Sequence, residues 1–162
     1  MPTPVEISAP RTPTDHEAIK ALMREYAGSL GFSLAYQDFE TELADFPGKY
    51  APPEGALLLA TVSGEAAGTV ALRKLDAITC EMKRLYVKPA FRGHGVGRAL
   101  VEGIIQKACA RGCKEVKLDM LPKSTVARGI YERMGFKPIA PYDADPHHAI
   151  FLGLDLCSQR TC

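Results

Sequence analysis

The seven residues Arg92-Gly93-His94-Gly95-Val96-Gly97-Arg98 hold three glycines and three basic side chains. They follow a stretch of strand character and open an amphipathic run, an arrangement suited to an anion. Unpaired N–H groups at a helix start point outward, the helix dipole favours negative charge, and absent Cβ atoms let a phosphate reach the backbone. From Glu81 to Arg98 the cations Lys83, Arg84, Lys88, Arg92 and Arg98 stand against the single acid Glu81, in a chain of formal net charge +1. A phosphate-bearing ligand is indicated. Two familiar phosphate loops are excluded by spacing. A dinucleotide fingerprint needs glycine at the sixth position, which is Arg98 counted from Gly93 and Leu100 counted from Gly95; a P-loop needs a Gly-Lys-Ser/Thr ending. What is left is Arg92-x-x-Gly95-x-Gly97, which alone reads equally as an anion cradle or a plain strand-to-helix turn.

A longer pattern carries more. Glu81-Met82-Lys83-Arg84-Leu85-Tyr86-Val87-Lys88-Pro89, followed by Phe91 to Leu100, resembles the acyl-CoA-binding motif of the GNAT superfamily of N-acyltransferases. The second half of that signature follows in order: Ser124-x-x-Ala127-x-x-Ile130-Tyr131-x-x-x-Gly135-Phe136. The likeness spans roughly Leu57 to Phe136. It implies a single α/β (α+β) domain with a mixed, mostly antiparallel sheet and helices on both faces. It also implies acetyl-CoA as co-substrate, with no metal. The fourth and fifth strands would part and the pantetheine arm would lie between them like an added strand, paired with backbone of Leu85 and Val87 beside Tyr86. The pyrophosphate would rest on the turn formed by Arg92, Gly93, His94, Gly95, Val96, Gly97 and Arg98. Ser124 stands where relatives often carry an asparagine that touches the pantetheine; serine can cap the helix but reaches less far.

Acetylating an amine requires removal of a proton from an ammonium, stabilisation of a tetrahedral oxyanion and protonation of a departing thiolate. By resemblance, Glu81 is the general base, directly or through a water, and Tyr131 is the acid at the sulfur. Glu81 also reads as a strand-edge carboxylate paired with Lys83 or Arg84, and Tyr131 as a core tyrosine. His147 and His148 precede the last strand and read as exposed loop or as an alternative base. The acids Asp38, Glu40, Glu42, Asp45 and Glu54, against Lys49 alone, would either draw in a cationic amine or form a solvated helix face. Tyr26, Phe32, Tyr36 and Phe39 would line an aromatic wall or pack in the core.

The elements that must hold these groups follow from periodicity. Val5 to Ser8 reads as a strand, with Pro10 and Pro13 as breakers. Thr14 and Glu17 form a capping box ahead of a helix carrying Ile19, Leu22, Met23 and Tyr26. A short helix is predicted over Asp38 to Phe46. Residues 56–62, 66–72 and 78–87 read as an antiparallel meander, with a tight turn at Ser63-Gly64-Glu65. Val96, Leu100, Val101, Ile104, Ile105 and Ala108 recur at helical spacing. The strand at 115–120 that follows this crossover helix must run parallel to the strand before it. A helix from about Ser124 and strands at 136–139 and 149–156 complete one domain.

At 162 residues, with 46% hydrophobic and 24% charged side chains, the chain has globular composition. Its longest apolar run, Ala56 to Ala60, is far short of a membrane span. Its first residues do not read as a secretory leader, so a cytoplasmic protein is expected. The five cysteines lack metal-ligand spacing and are expected as free thiols. The expected partners are a small-molecule amine acceptor and, at most, a second copy in a homodimer, with no nucleic acid or membrane. Two competing expectations are a non-catalytic acyl-CoA-binding sensor and an enzyme whose acceptor is a peptide or protein N-terminus.

Overall fold

The computed structural model describes residues 4–31, 39–143 and 148–156. Within them the chain runs β1 (Val5–Ser8), α1 (Pro13–Ser29), α2 (Phe39–Ala44), β2 (Ala56–Val62), β3 (Glu65–Lys74), β4 (Thr79–Val87), α3 (Val96–Ala110), β5 (Glu115–Met120), α4 (Thr125–Arg133), β6 (Lys137–Pro138) and β7 (Ile150–Asp155). The strands form one sheet in the order β1-β2-β3-β4-β5-β7-β6. Every neighbouring pair is antiparallel except β4 and β5, which are parallel across the α3 crossover. No helix among the described residues is long and apolar enough to cross a membrane.

Alternation along the strands builds two layers. Leu58, Ala60, Val70, Leu72, Cys80 and Met82 pack with Leu100, Val101, Ile104 and Ala108 of α3. Leu57, Leu59, Ala71 and Tyr86 face Ile19, Leu22 and Met23 of α1 and Phe39 and Leu43 of α2. Each fully buried leucine or isoleucine in these layers stabilises the fold by roughly 1.5–3 kcal/mol. The start of α1 differs from expectation. Thr12 is the cap, Asp15 N donates to Thr12 Oγ1 at 3.1 Å, and Thr12 N donates to Asp15 Oδ2 at 3.2 Å. Pro13, read as a breaker, occupies the first turn, where a missing N–H costs nothing.

Two irregularities position the site. The β4–β5 ladder holds only Thr79↔Glu115, Cys80↔Val116 and Glu81↔Lys117, after which the strands run on without pairing to each other. On its other edge β4 is bulged: Tyr86 pairs with Thr69 and Lys83 with Ala71, so Arg84 and Leu85 together oppose Val70. Arg84 sits at φ 61, a left-handed conformation that costs about 1–3 kcal/mol in a non-glycine residue. The bulge resets the alternation. Met82, Leu85 and Val87 all pack toward the α3 layer, while the Lys83 and Arg84 side chains reach acids on the α1–α2 side.

The cysteine expectation is corrected in part. Cys80 and Cys113 are joined as a disulfide, with Cα atoms 6.0 Å apart. The parallel pairing of Thr79 with Glu115 brings the start of β4 beside the residues entering β5, a contact across 33 positions that no spacing rule reveals.

Candidate active site

The outer end of the gap between β4 and β5 is made of main chain. Gly93 and Gly95 lie at φ 84 and 80, open to glycine without strain. Gly95 is the N-cap of α3 and no side chain caps that helix, so its first-turn N–H groups have no side-chain partner. A Cβ on Gly97 would come within 3.3 Å of Ile130 Cδ1 and 3.7 Å of Val87 Cγ2; glycine there lets α3 begin hard against α4 and β4. Arg92 turns back, its Nε donating to Val87 O at 3.0 Å and its guanidinium 5.9 Å from the Tyr86 ring centroid. Arg98 pairs with Glu102 at 2.8 Å on the exposed surface, and His94 is exposed.

Backbone direction in the gap follows from the ladder. Lys88 N donates to Ala67 O, and the next pairs are Gly68↔Val87 and Thr69↔Tyr86. In an antiparallel pair alternate residues turn their N–H and C=O to opposite sides. Tyr86 and Lys88 therefore bond β3, while Val87 and, before it, Leu85 present main-chain groups to the gap. The cavity there is lined by Leu85 of β4, Met120 of β5, and Ser124, Ala127 and Tyr131 around α4. Tyr26 closes it from α1. Tyr131 is only 4% exposed and packs against Phe136 at 5.6 Å between ring centroids. Burial pushes its phenol well above the ordinary tyrosine range, so it carries its proton at any working pH. Ser124 is the N-cap of α4 but makes no side-chain capping bond; its place is in the cavity wall.

The inner end is built from charges. Glu81 is 1% exposed. Its Oε1 accepts from Arg73 Nε at 2.7 Å, its Oε2 accepts from the Tyr142 hydroxyl at 2.7 Å, and Lys83 Nζ lies 4.0 Å away. Burial opposes ionisation of Arg73, but Glu81 outweighs it and holds that guanidinium more firmly charged. Glu42 on α2 accepts from Arg84 Nε at 2.9 Å, Arg84 Nη2 at 3.1 Å and the Tyr50 hydroxyl at 2.9 Å. Lys49 adds an ion pair at 3.3 Å. Burial works against the Glu42 carboxylate, yet Arg84 outweighs it and the carboxyl titrates below its ordinary value. Lys83 is lowered by burial, with Glu81 opposing. Asp119 of β5 lines the cavity and is raised by burial, with Lys83 opposing.

The sequence-predicted residues therefore divide. Leu85, Ser124 and Tyr131 meet around one cavity, with the 92–98 turn beyond it. Glu81 is not among the residues lining that cavity, and its partners are Arg73 and Tyr142 rather than a strand neighbour alone. Of the acidic stretch, Glu40, Asp45 and Glu54 are exposed, and Glu42 is spent on Arg84. Tyr26 belongs to the wall, whereas Phe39 is core beneath Arg84, whose guanidinium carbon lies 5.2 Å from its ring centroid. His148 is exposed. Asp38, Phe32, Tyr36 and His147 lie outside the described residues. Sequence reasoning missed Asp119, Arg73 and Tyr142. Asp119 alternates with Glu115 and Lys117 as an apparently ordinary polar face of β5; only the parting of the strands makes it part of a site.

Comparison with known proteins agrees with this geometry. Residues 17–136 match the acetyltransferase (GNAT) family. An uncharacterized N-acetyltransferase of Schizosaccharomyces pombe is 37% identical over 158 residues, covering 96% of this chain and 97% of that protein. Among solved structures, a GNAT-family acetyltransferase of Staphylococcus aureus superposes with a TM-score of 0.79 at 18% identity, covering 94% of this chain and 99% of its own. The PaiA N-acetyltransferase of Thermoplasma acidophilum, solved with coenzyme A, does so with a TM-score of 0.71 at 19% identity, over 94% and 99%. A strand pair that parts beside an uncapped glycine turn, in a chain matched over most of its length, leaves one assignment: the protein belongs to the acetyltransferase (GNAT) family and is an acyl-CoA-dependent acetyltransferase.

Proposed function

We propose that the protein moves the acetyl group of acetyl-CoA to a primary amine of a small molecule, by direct transfer while both are bound. The observation that carries this reading is the cavity lined by Leu85, Ser124 and Tyr131 where β4 and β5 part, in a chain whose next helix opens on a glycine turn without a side-chain cap. The T. acidophilum neighbour, whose structure holds coenzyme A, shares the fold over 94% of this chain. In this reading the amides from Gly93 to Gly97 would hold the pyrophosphate, helped by the positive end of α3, and Arg92 would guard the entrance beside Tyr86. The pantetheine amides would replace the ladder partners that β4 lacks beyond Glu81. Met82 and Leu85, with Ala127, would exclude water from the thioester.

Two groups then act on the reacting atoms. A main-chain N–H at the bulge, near Leu85, donates to the oxyanion of the tetrahedral intermediate. Tyr131 gives its proton to the sulfur as the carbon–sulfur bond breaks, which suits a phenol that burial keeps protonated. Glu81, engaged by Arg73 and Tyr142, stands behind Lys83 of the cavity wall. The test is release of free CoA thiol from acetyl-CoA across a panel of primary amines. Amine-dependent release is expected; tight binding of acetyl-CoA with no release over the panel would overturn the reading in favour of a binding domain.

A further inference from the structure

The reading of the site as an acetyltransferase leaves open where the acceptor's proton goes, and the register of β4 and β5 supplies an answer. Glu81 and Lys117 are the last pair of that ladder. In a parallel ladder paired residues project from the same face, and residues two apart share it. The next residues on that face are therefore Lys83 and Asp119, set opposite each other at the first place where the strands part. Both line the cavity that also holds Leu85 and Tyr131.

The three acids of this region are not equivalent. Glu81 has both oxygens engaged by Arg73 and Tyr142. Glu42 is held by Arg84, Tyr50 and Lys49. The Asp119 carboxylate, by contrast, forms no ion pair within 4.0 Å to a described residue. We infer that Asp119 accepts the proton of the acceptor ammonium, as the base that delivers a neutral amine to the thioester carbonyl. The inference rests on the acetyl-transfer reading.

The step balances. The ammonium gives one proton to Asp119, and the freed lone pair forms the carbon–nitrogen bond. The carbon–sulfur bond breaks as Tyr131 protonates the departing sulfur. The second proton lost by nitrogen restores the Tyr131 phenol, and Asp119 releases its own to water. The titratable and charged groups around Asp119, among the described residues, are Glu81, Lys83 and Arg84 of β4, Tyr131 of α4, Tyr142 ahead of β7 and, across the same cavity, Tyr26 of α1. Burial raises the carboxyl from its ordinary value and Lys83 opposes that rise, which brings the base toward the pH at which it must work.

The experiment compares the wild-type protein with Asp119→Asn and Asp119→Glu, using an amine accepted by the wild type. Calorimetry with acetyl-CoA first establishes that each variant binds the donor as the wild type does. At neutral pH, Asp119→Asn should lose about 10²-fold in kcat/KM. That deficit should shrink about tenfold per pH unit as the acceptor ammonium deprotonates in bulk water, and Asp119→Glu should restore most of the rate and the wild-type profile. A rate for Asp119→Asn within about threefold of the wild type overturns the inference while leaving acetyl transfer intact. So does a deficit that is equal at every pH, since that is how a merely structural role would read. Should Asp119→Asn fail to bind acetyl-CoA, Asp119→Glu decides alone: a pH profile unlike the wild type's overturns the inference. A wild-type protein that releases no thiol with any amine overturns the acetyl-transfer reading itself.

Discussion

The two ends of the β4–β5 gap are built on different principles. The outer end is one continuous stretch of chain in which main-chain amides, glycine conformations and a helix start do the work, and its side-chain ion pair, Arg98 with Glu102, lies on the surface. The inner end is assembled from side chains of α2, the segment at 48–50, β3, β4, β5 and the segment ahead of β7, and its acids Glu81 and Glu42 are buried and paired. A backbone cradle binds what every relative with the same turn could bind. A side-chain cluster drawn from six places in the chain can change one member at a time, and it is there that we propose acceptor choice and proton handling.

If that division is right, substitutions at the two ends must fail in different ways. The largest effect is expected from Glu42→Ala. It takes the Glu42 carboxylate from the buried Arg84 guanidinium, at a residue already held at positive φ, and should cost about 3–5 kcal/mol of stability in urea unfolding. Tyr131→Phe comes next. It removes the proposed proton donor to sulfur but keeps the ring against Phe136, so kcat should fall about 10²- to 10³-fold while calorimetry finds acetyl-CoA affinity unchanged. A shared loss of binding and rate would show that the ends are not separable. At the outer end Gly95→Ala forces a Cβ into the left-handed region at φ 80, at a cost of about 1–2 kcal/mol. Acetyl-CoA affinity should drop roughly 5- to 30-fold, with kcat at saturation retained.

The same division explains what could be read before folding. The meander, the crossover helix and the glycine turn rest on contacts close in sequence, which local periodicity and turn chemistry report, and the crossover helix in turn sets the parallel direction of β5. Ser63 and Gly64, both at positive φ, make the two-residue turn that their types suggest. The α1 cap lies two residues before the expected Thr14 for a local reason: Thr12-Pro13-Thr14-Asp15 offers two overlapping capping patterns, and Asp15 reaching back to Thr12 decides between them. The inner end was illegible for another reason. Nothing near Asp119 in sequence distinguishes it from Lys117, and nothing near Glu81 points to Arg73 or Tyr142, 61 positions away. Those relations exist only once strand register and a bulge of one residue are known.

The smallest effect offers the finest test, because it sets two inner-end carboxylates against each other. Glu42 titrates below its ordinary value in the folded protein: burial raises it and Arg84 more than offsets that. Its contribution is therefore complete above the unfolded-state value of 4.5 and is lost as pH falls through the lower folded value, where the unfolded chain binds more protons. Asp119 titrates above its ordinary 3.8 because of burial. The folded chain there binds more protons, so its ionisation weakens the fold as pH rises through the raised value, and acidification restores that stability. Each slope is bounded by one proton, about 1.4 kcal/mol per pH unit. Urea unfolding from pH 7 down to pH 3 should then show opposite changes. Glu42→Gln should flatten the acid loss of stability, and Asp119→Asn should steepen it. A slope change of the same sign in both would mean that the cluster titrates as one unit, with Asp119 drawn into the ion pairs instead of standing apart as the base in the gap.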